Sequence, residues 1–411
     1  MKNLFFIISF VWIFWFIDCD DKIDDNFYKN ISYSTKLTNF LLKKHERYAP
    51  PDDKVQILLG IDLVKIVALN ELKQRIVVQV LIYEEWIDKT LSWNPADFDG
   101  IQKTWISPDK IWVSDITVLN ALDLMNTLES FRMPVEVYYT GEIFRSYPAL
   151  YTAACDIAIA NFPLDAQKCY LDIASWGYAK DKLVIKFSNR SSLDYYRQNE
   201  EWALEAVTFE ELVYEYEDSG HSKARFSIRM TRKPLHYITF LVIPCYMICI
   251  LGIAGLFARF STRPERQERF TLGITAIVSV AVYGTVVAEK IPHTSREVPM
   301  LLNYFLLDLL MLTLATIATN FVMNLNYLSP KKKTKMPPNF LRRWLVRDKI
   351  EASILYKPID EKAFELWSQI AYRLDQMFFI IFFIGLTIPT IIVTIRCAER
   401  LNIPDNYVVE K

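Results

Sequence analysis

A chain of 411 residues exceeds one typical domain, and 52% of it is apolar. Its 47 basic and 48 acidic side chains leave a net charge of −1, which gives no reason to expect a nucleic-acid partner. The first 230 residues mix charged and apolar side chains as a water-facing domain does, and the remainder carries long apolar runs separated by basic stretches.

At the N-terminus, Lys2 precedes an almost unbroken apolar stretch at 4–17, closed by Asp18, Asp20 and Asp21. A bilayer span needs roughly 20 apolar residues, so this pattern predicts an export signal over 1–19, with a signal anchor as the alternative. Export implies an oxidising compartment for the domain downstream of the signal. Sequons at Asn30 and Asn189 fit that compartment as glycosylation sites. Leu37, Phe40 and Leu41 at helical spacing predict a short amphipathic helix over 35–47. After Pro50-Pro51 the texture changes. Residues 55–83 are rich in Val, Ile and Leu with partial alternation, as in paired strands. Similar runs continue to Met230, broken by Pro95, Pro108, Pro134, Pro148 and Pro163, and predict an all-β, immunoglobulin-like sandwich. Cys155 and Cys169 are the only cysteines between the export region and the first apolar span. In an exported domain they should be oxidised, two free thiols being the alternative. Such a loop stabilises by about 3 kcal/mol in the chain-entropy model.

Four stretches then suit a bilayer: 235–257, 270–288, 298–322 and 377–395. Arg259, Arg263, Arg266 and Arg269 lie between the first two. Lys331, Lys332, Lys333, Lys335, Arg342, Arg343 and Arg347 lie between the last two, whereas the second and third are joined by only Lys290 and Arg296. The positive-inside rule makes the two basic connections cytoplasmic. The expected order is an extracellular domain over 20–234, a four-helix membrane domain over 235–396 with a cytoplasmic loop at 324–376, and an extracellular tail over 397–411. The fold class is thus α+β. A short basic helix is expected within 336–346 and a kink at Pro244. Asp308, inside the third span, should face a neighbouring helix or a water pocket, because a lipid-facing carboxylate costs about 2.5–3.5 kcal/mol on insertion scales.

Cys155 and Cys169 enclose Phe162-Pro163-Leu164-Asp165. With four downstream spans, this loop resembles the signature of Cys-loop receptors. Trp93-Asn94-Pro95, Trp112-Val113-Ser114-Asp115, Ser175-Trp176-Gly177-Tyr178, Thr231-Arg232-Lys233-Pro234-Leu235 and Met336-Pro337-Pro338 resemble nicotinic-type subunits. The resemblance implies a plasma-membrane channel, postsynaptic in setting, built as a homo- or heteropentamer of homologous subunits. Acetylcholine or another small amine would open it. It implies no enzyme activity, no cofactor and no metal. The amine would sit in an aromatic box by cation–π contact, with Trp176 central and Tyr214 or Tyr216 beside it. Leu119 and Leu81 replace box aromatics, and no cysteine precedes Arg225 in the loop that carries the tyrosines. That departure implies a non-alpha subunit. An accessory subunit without its own complete site, or a channel with a different ligand, are the alternatives. For gating, the resemblance implies a pair between Glu71 and Arg232. It also implies a cis Phe162–Pro163 bond, and Pro163 and Asp165 facing the Ile291-Pro292 corner.

The second span carries a pattern of its own. Glu268, Thr271, Thr275, Val278, Val282, Thr285 and Glu289 recur in steps of three and four and share one helix face. Polar groups in membrane helices face protein or water, so several copies must surround a pore. Glu268 and Glu289 would form acidic rings at its two mouths, which select cations, and Val278 would form a hydrophobic constriction. Helix capping is the bland reading of Glu268. No Pro-Ala pair of the kind found in anion-conducting relatives precedes Arg269. His45, His221, His236 and His293 make no metal-binding spacing, and no G-x-S-x-G or phosphate loop occurs.

Overall fold

In a computed structural model, the described residues are 32–122, 133–190, 192–216, 219–258, 265–289, 297–331, 336–345, 358–401 and 408–410. The expected export signal at 1–19, Asn30 and the Ile291-Pro292 corner lie outside them.

Helix α1, Tyr33–Lys44, starts where the Ser32 hydroxyl accepts the Thr35 amide at 3.3 Å. Leu37 and Leu41, one turn apart, are fully buried, and Lys43 and Lys44 favour the negative end of the helix dipole. Strands β1, Val55–Asn70, and β2, Arg75–Ile87, come next as a long antiparallel pair whose turn contains Glu71. Alternate residues Val55, Ile57, Leu59, Ile61 and Leu63 are buried, as the period of two requires. The remaining strands are β3, Lys103–Ile106, β4, Ile116–Val118, β5, Val135–Tyr138, β6, Glu142–Ala154, β7, Ala166–Ser175, β8, Leu183–Phe187, β9, Trp202–Tyr216, and β10, Ser219–Arg232. Val408–Glu410 forms β11. Among the described residues, one sheet runs β3-β5-β6-β2-β1-β8 and the other β11-β9-β10-β7-β4. Ile76, Val78 and Val80 from the first sheet and Leu171, Ile173, Phe226 and Ile228 from the second belong to one buried core. Cys155 and Cys169 are disulfide-bonded, with Cα atoms 5.1 Å apart.

Among the described residues, four helices are long and apolar enough to span a membrane. Helix α2, Leu235–Phe257, contains a π-helical turn at Ile238–Val242, just before Pro244. Proline offers no N–H and crowds the preceding turn, so the bend expected there takes the form of a widened turn. Helices α3, Glu265–Ala288, and α4, Met300–Lys331, come after it, then the short α5, Asn339–Leu345, and α6, Ile359–Leu401. The last helix begins 18 residues before the apolar stretch at 377–395 that hydropathy picks out, inside what reads as cytoplasmic loop. Hydropathy marks only the lipid-facing length, whereas helical hydrogen bonding continues past it wherever one face finds a partner. Here Leu366, Ile370, Ala371 and Leu374 pack with Val322 at the end of α4.

After α6 the chain returns to the sandwich. Strand β11 pairs in parallel with Ala206–Thr208 of β9 and covers that sheet edge. The turn between β5 and β6 depends on Gly141, whose φ is +84° and whose carbonyl accepts the Asp88 amide at 2.7 Å. A Cβ there would meet the Asp88 carbonyl oxygen at 2.5 Å. Gly141→Ala is therefore expected to destabilise the extracellular domain by on the order of 2 kcal/mol, read as a lower melting temperature of the purified chain. An unchanged melting temperature would show that the turn tolerates a side chain.

Candidate functional site

Three places carry chemistry: the exposed face of α3, the end of the β9–β10 hairpin, and the junction between sandwich and membrane helices.

On α3, Gly273, Ala276, Val280 and Val287 are buried against the other helices. Glu268, Thr271, Thr275, Val278, Val282, Thr285 and Glu289 lie on the opposite side, with Val278 at 56% exposed and Val282 at 55%. A polar and valine stripe is thus turned away from the rest of the subunit. Arg269 turns the other way. It is 5% exposed and lies 4.0 Å from Asp375 of α6, so its charge is matched within the bundle rather than presented beside Glu268.

At the hairpin, Trp176 is 78% exposed for a local reason. Asp115 accepts the Ser175 hydroxyl at 2.5 Å and the Gly177 amide at 2.5 Å, while the Ser175 oxygen accepts the Tyr178 amide at 2.8 Å. These bonds fix the turn and turn the indole outward. The pairing that sets Lys223 opposite Ala174 lays the hairpin beside this turn, and the Lys180 amide donates to the Gly220 carbonyl at 2.8 Å. Tyr214 stacks on His221 across the hairpin, with ring centroids 5.1 Å apart. Tyr216 pairs through its backbone with Ser219, and its side chain is outside the described residues. Leu119 and Leu81 are half-buried. Asp172 and Lys223 were not singled out by sequence. The Lys223 ammonium lies 3.1 Å from Asp172 and 5.9 Å from the centre of the Tyr214 ring, so this aromatic ring already has a cation beside it. Burial works to raise the Asp172 carboxyl, but its bonds to Arg225 and Lys223 outweigh that and hold it below the usual carboxylate range.

At the junction, the Arg232 guanidinium is fully buried. It donates to Glu71 at 2.5 Å, Asp165 at 2.9 Å, Glu201 at 2.7 Å and the Tyr237 hydroxyl at 3.2 Å. Its face lies 4.2 Å from the Trp202 ring and 4.9 Å from the Phe162 ring. Burial opposes its charge, yet Asp165, then Tyr237 and Glu71, outweigh burial and raise its pKa. The corner that the resemblance sets against Asp165 lies outside the described residues. The Asp165 carboxylate, 3% exposed, is engaged by Arg232, because a buried cation of this size demands more than one counter-charge. Glu201 is a third acid that sequence reading missed. Only the pairing of Arg232 with Trp202 across β9 and β10 places it there. The Phe162–Pro163 bond is cis. Carbonyls of Ala160 and Phe162 accept the Met300 and Leu301 amides at 2.9 and 3.1 Å, so the disulfide loop satisfies two donors at the start of α4.

The three acids differ in exposure: 3% for Asp165, 19% for Glu71 and 50% for Glu201. Asp165→Asn should cost about 3–5 kcal/mol, since it leaves a buried charge under-matched. Glu201→Gln should cost at most about 1 kcal/mol. Thermal unfolding of the two purified variants measures the order, and equal losses would refute it.

Residues 34–234 match the family described as the neurotransmitter-gated ion-channel ligand binding domain, and residues 241–348 its transmembrane region. The chain is 42% identical to the proton-gated ion channel subunit pbo-6 of Caenorhabditis elegans, over 89% of this chain and 88% of that one. It is 28% identical to the acetylcholine receptor subunit alpha-type deg-3 of the same organism, over 70% of this chain and 52% of the relative. The neuronal acetylcholine receptor subunit beta-2 of Gallus gallus is 30% identical, over 69% and 57%. The chain therefore spans little more than half the length of these last two. With both family regions matched in order, and with four spanning helices behind a disulfide-closed sandwich, the chain belongs to the neurotransmitter-gated ion channels, multi-pass membrane proteins that are not enzymes and that assemble as pentamers of homologous subunits.

Proposed function

We propose that this chain is a subunit of a cation-selective channel opened by an extracellular ligand. Its extracellular domain would occupy 20–234 and its membrane domain 235–396. Residues 397–411 would return to the extracellular side, a placement supported by the pairing of β11 with β9. The setting is a plasma membrane, with Asn30 and Asn189 as glycosylation sites. The observation that carries the reading is the exposed stripe from Glu268 to Glu289, with Arg269 matched to Asp375 behind it. Five copies around a pore would put a carboxylate ring at each mouth and a valine constriction between them. In this reading, binding moves the sandwich strands, and the cluster of Glu71, Arg232 and Asp165, together with the residues Pro163 and Pro292, carries the movement to the pore helix.

For the ligand, exposed Trp176 with Tyr214 and Tyr216 supports a small amine such as acetylcholine, taken at an interface with a neighbour that supplies the missing aromatics. A second reading, in which protons open the channel, is favoured by His45 and by the 42% identity to a proton-gated subunit. The His45 side chain is 2% exposed. Its Nε2 accepts the Trp112 amide at 2.9 Å, and a backbone amide can only donate, so the ring is neutral and carries its proton on Nδ1. That nitrogen faces Asp88 at 3.2 Å and the Thr90 hydroxyl at 3.0 Å. Burial works to raise the Asp88 carboxyl, and its bonds from His45 and Thr90 overcome this and lower it. Asp88 thus stays charged beside the ring. A second proton on the ring would have to enter at Nε2 and break the bond to Trp112. The strain would pass along Trp112–Asp115 to the acid that holds the Trp176 turn. Histidine side chains ordinarily titrate between pH 5 and 8, so acid is the signal to which such a coupling would respond.

Voltage-clamped cells expressing the chain, alone and with homologous subunits, should be exposed to an amine panel at neutral pH and to acid steps. Either ligand should evoke currents whose reversal tracks the cation gradient. Glu268→Ala should move the dilution potential towards zero selectivity, and an unchanged potential would remove Glu268 from the filter. If acid is the agonist, His45→Gln should shift half-activation by about one pH unit or more, equivalent to about 1.4 kcal/mol. An unshifted acid response would place the sensor elsewhere.

A further inference from the structure

The membrane bundle holds a cluster that ion conduction does not use. Cys245 and Cys249 are four residues apart on α2 and so share one face, opposite Asp308 of α4. Both cysteines are fully buried and Asp308 is 1% exposed. The two sulfurs and a carboxylate oxygen lie within 4.8 Å of one another. We propose that Cys245, Cys249 and Asp308 form a binding site, inside each subunit's membrane bundle, for a divalent metal ion of the zinc and cadmium class.

The alternative is a hydrogen-bonded polar cluster, and its bonding is incomplete. Cys245 donates to one Asp308 oxygen at 3.6 Å, a long bond from a weak donor. The other Asp308 oxygen is buried without a hydrogen-bond partner among the described residues. The nearby hydroxyls of Tyr304 and Thr390 of α6 are bonded to each other at 3.0 Å. A metal would satisfy both sulfurs and the carboxylate together. Two soft sulfurs with one oxygen suit zinc or cadmium and not magnesium or calcium, which require oxygen shells. Sulfur ligates as thiolate, so a divalent ion held by both cysteines and the carboxylate keeps one net negative charge, far less than the three ligands would carry without it. Binding would release both thiol protons, so affinity should rise with pH. Three protein donors leave a fourth position open. The bound ion would tie α2 to α4, the two helices between which the pore helix packs, and would restrain their relative movement.

The full-length chain, purified in detergent and stripped with a chelator, is to be titrated with Cd2+. Thiolate-to-cadmium charge-transfer absorbance and metal content per subunit are the readouts. One ion per subunit is expected. Cys249→Ser and Asp308→Asn should each weaken binding by at least about tenfold, and Cys397→Ser, which alters a buried thiol outside the cluster, should leave it unchanged. Absence of the band in the wild-type chain overturns the site. So does a band that survives undiminished in Cys249→Ser, or one that Cys397→Ser abolishes. Should the cluster variants fail to assemble, the wild-type titration and Cys397→Ser still decide.

Discussion

The buried charge of Arg232 is the constraint on which the two-part architecture turns. Taking a guanidinium out of water costs several kcal/mol unless counter-charges and hydrogen bonds surround it. Here the compensating groups come from four places in the chain: the β1–β2 turn through Glu71, the disulfide loop through Asp165, the start of β9 through Glu201, and α2 through Tyr237. None of these segments can shift far without leaving the cation under-matched. The aromatic rings of Trp202 and Phe162 cover its faces and keep water out. Arg232 is also the last residue of β10, so the same side chain that gathers these segments marks where sheet gives way to membrane helix.

The disulfide loop extends this junction into the bundle. Ile159, Phe162 and Leu164 belong to the same buried cluster as Val242, Cys245, Tyr304 and Leu386, so the loop is packed into the membrane core while the sandwich keeps a core of its own. The loop carbonyls that accept the first amides of α4 add a directional link, since the opening amides of a helix have no partner of their own. Helix α3 is held against α2 and α4 by small residues, with Ala276 and Gly273 allowing close approach. The loop thus contacts the helices that flank α3 through packed groups and not through solvent.

The surroundings of the β9–β10 hairpin differ in character from an aromatic enclosure for a free cation. Lys223 and Arg225 converge on Asp172, with Arg225 bonded to it at 2.7 Å. His221, 9% exposed, is stacked beneath Tyr214. Much of the local electrostatics is thus internally satisfied. His45 stands buried beside the Trp112–Asp115 segment, with an acid at one nitrogen and the Trp112 amide at the other. Through that segment it is linked to Asp115, which holds the turn that presents Trp176.

Periodicity and charge along the chain determined the order of domains, the four spans and the stripe on α3. These are local properties: a helix face comes from steps of three and four, and a span from the length of an apolar run. The cysteine pair and the motif between them were likewise legible, because a single exported loop contains both ends. Tertiary structure alone decided what surrounds Arg232, where Asp165 points, and that Arg269 turns from the pore face towards Asp375. It also decided that α6 begins far ahead of its apolar stretch, that β11 closes the edge of β9, and that Cys249 meets Asp308. Apart from Tyr237, these depend on partners about 30 to about 200 residues apart, whose encounter is fixed by strand register and helix packing and leaves no periodic trace in the chain. A lone histidine such as His45 reads as unremarkable in sequence, since its chemistry comes from an acid and an amide supplied by two other segments.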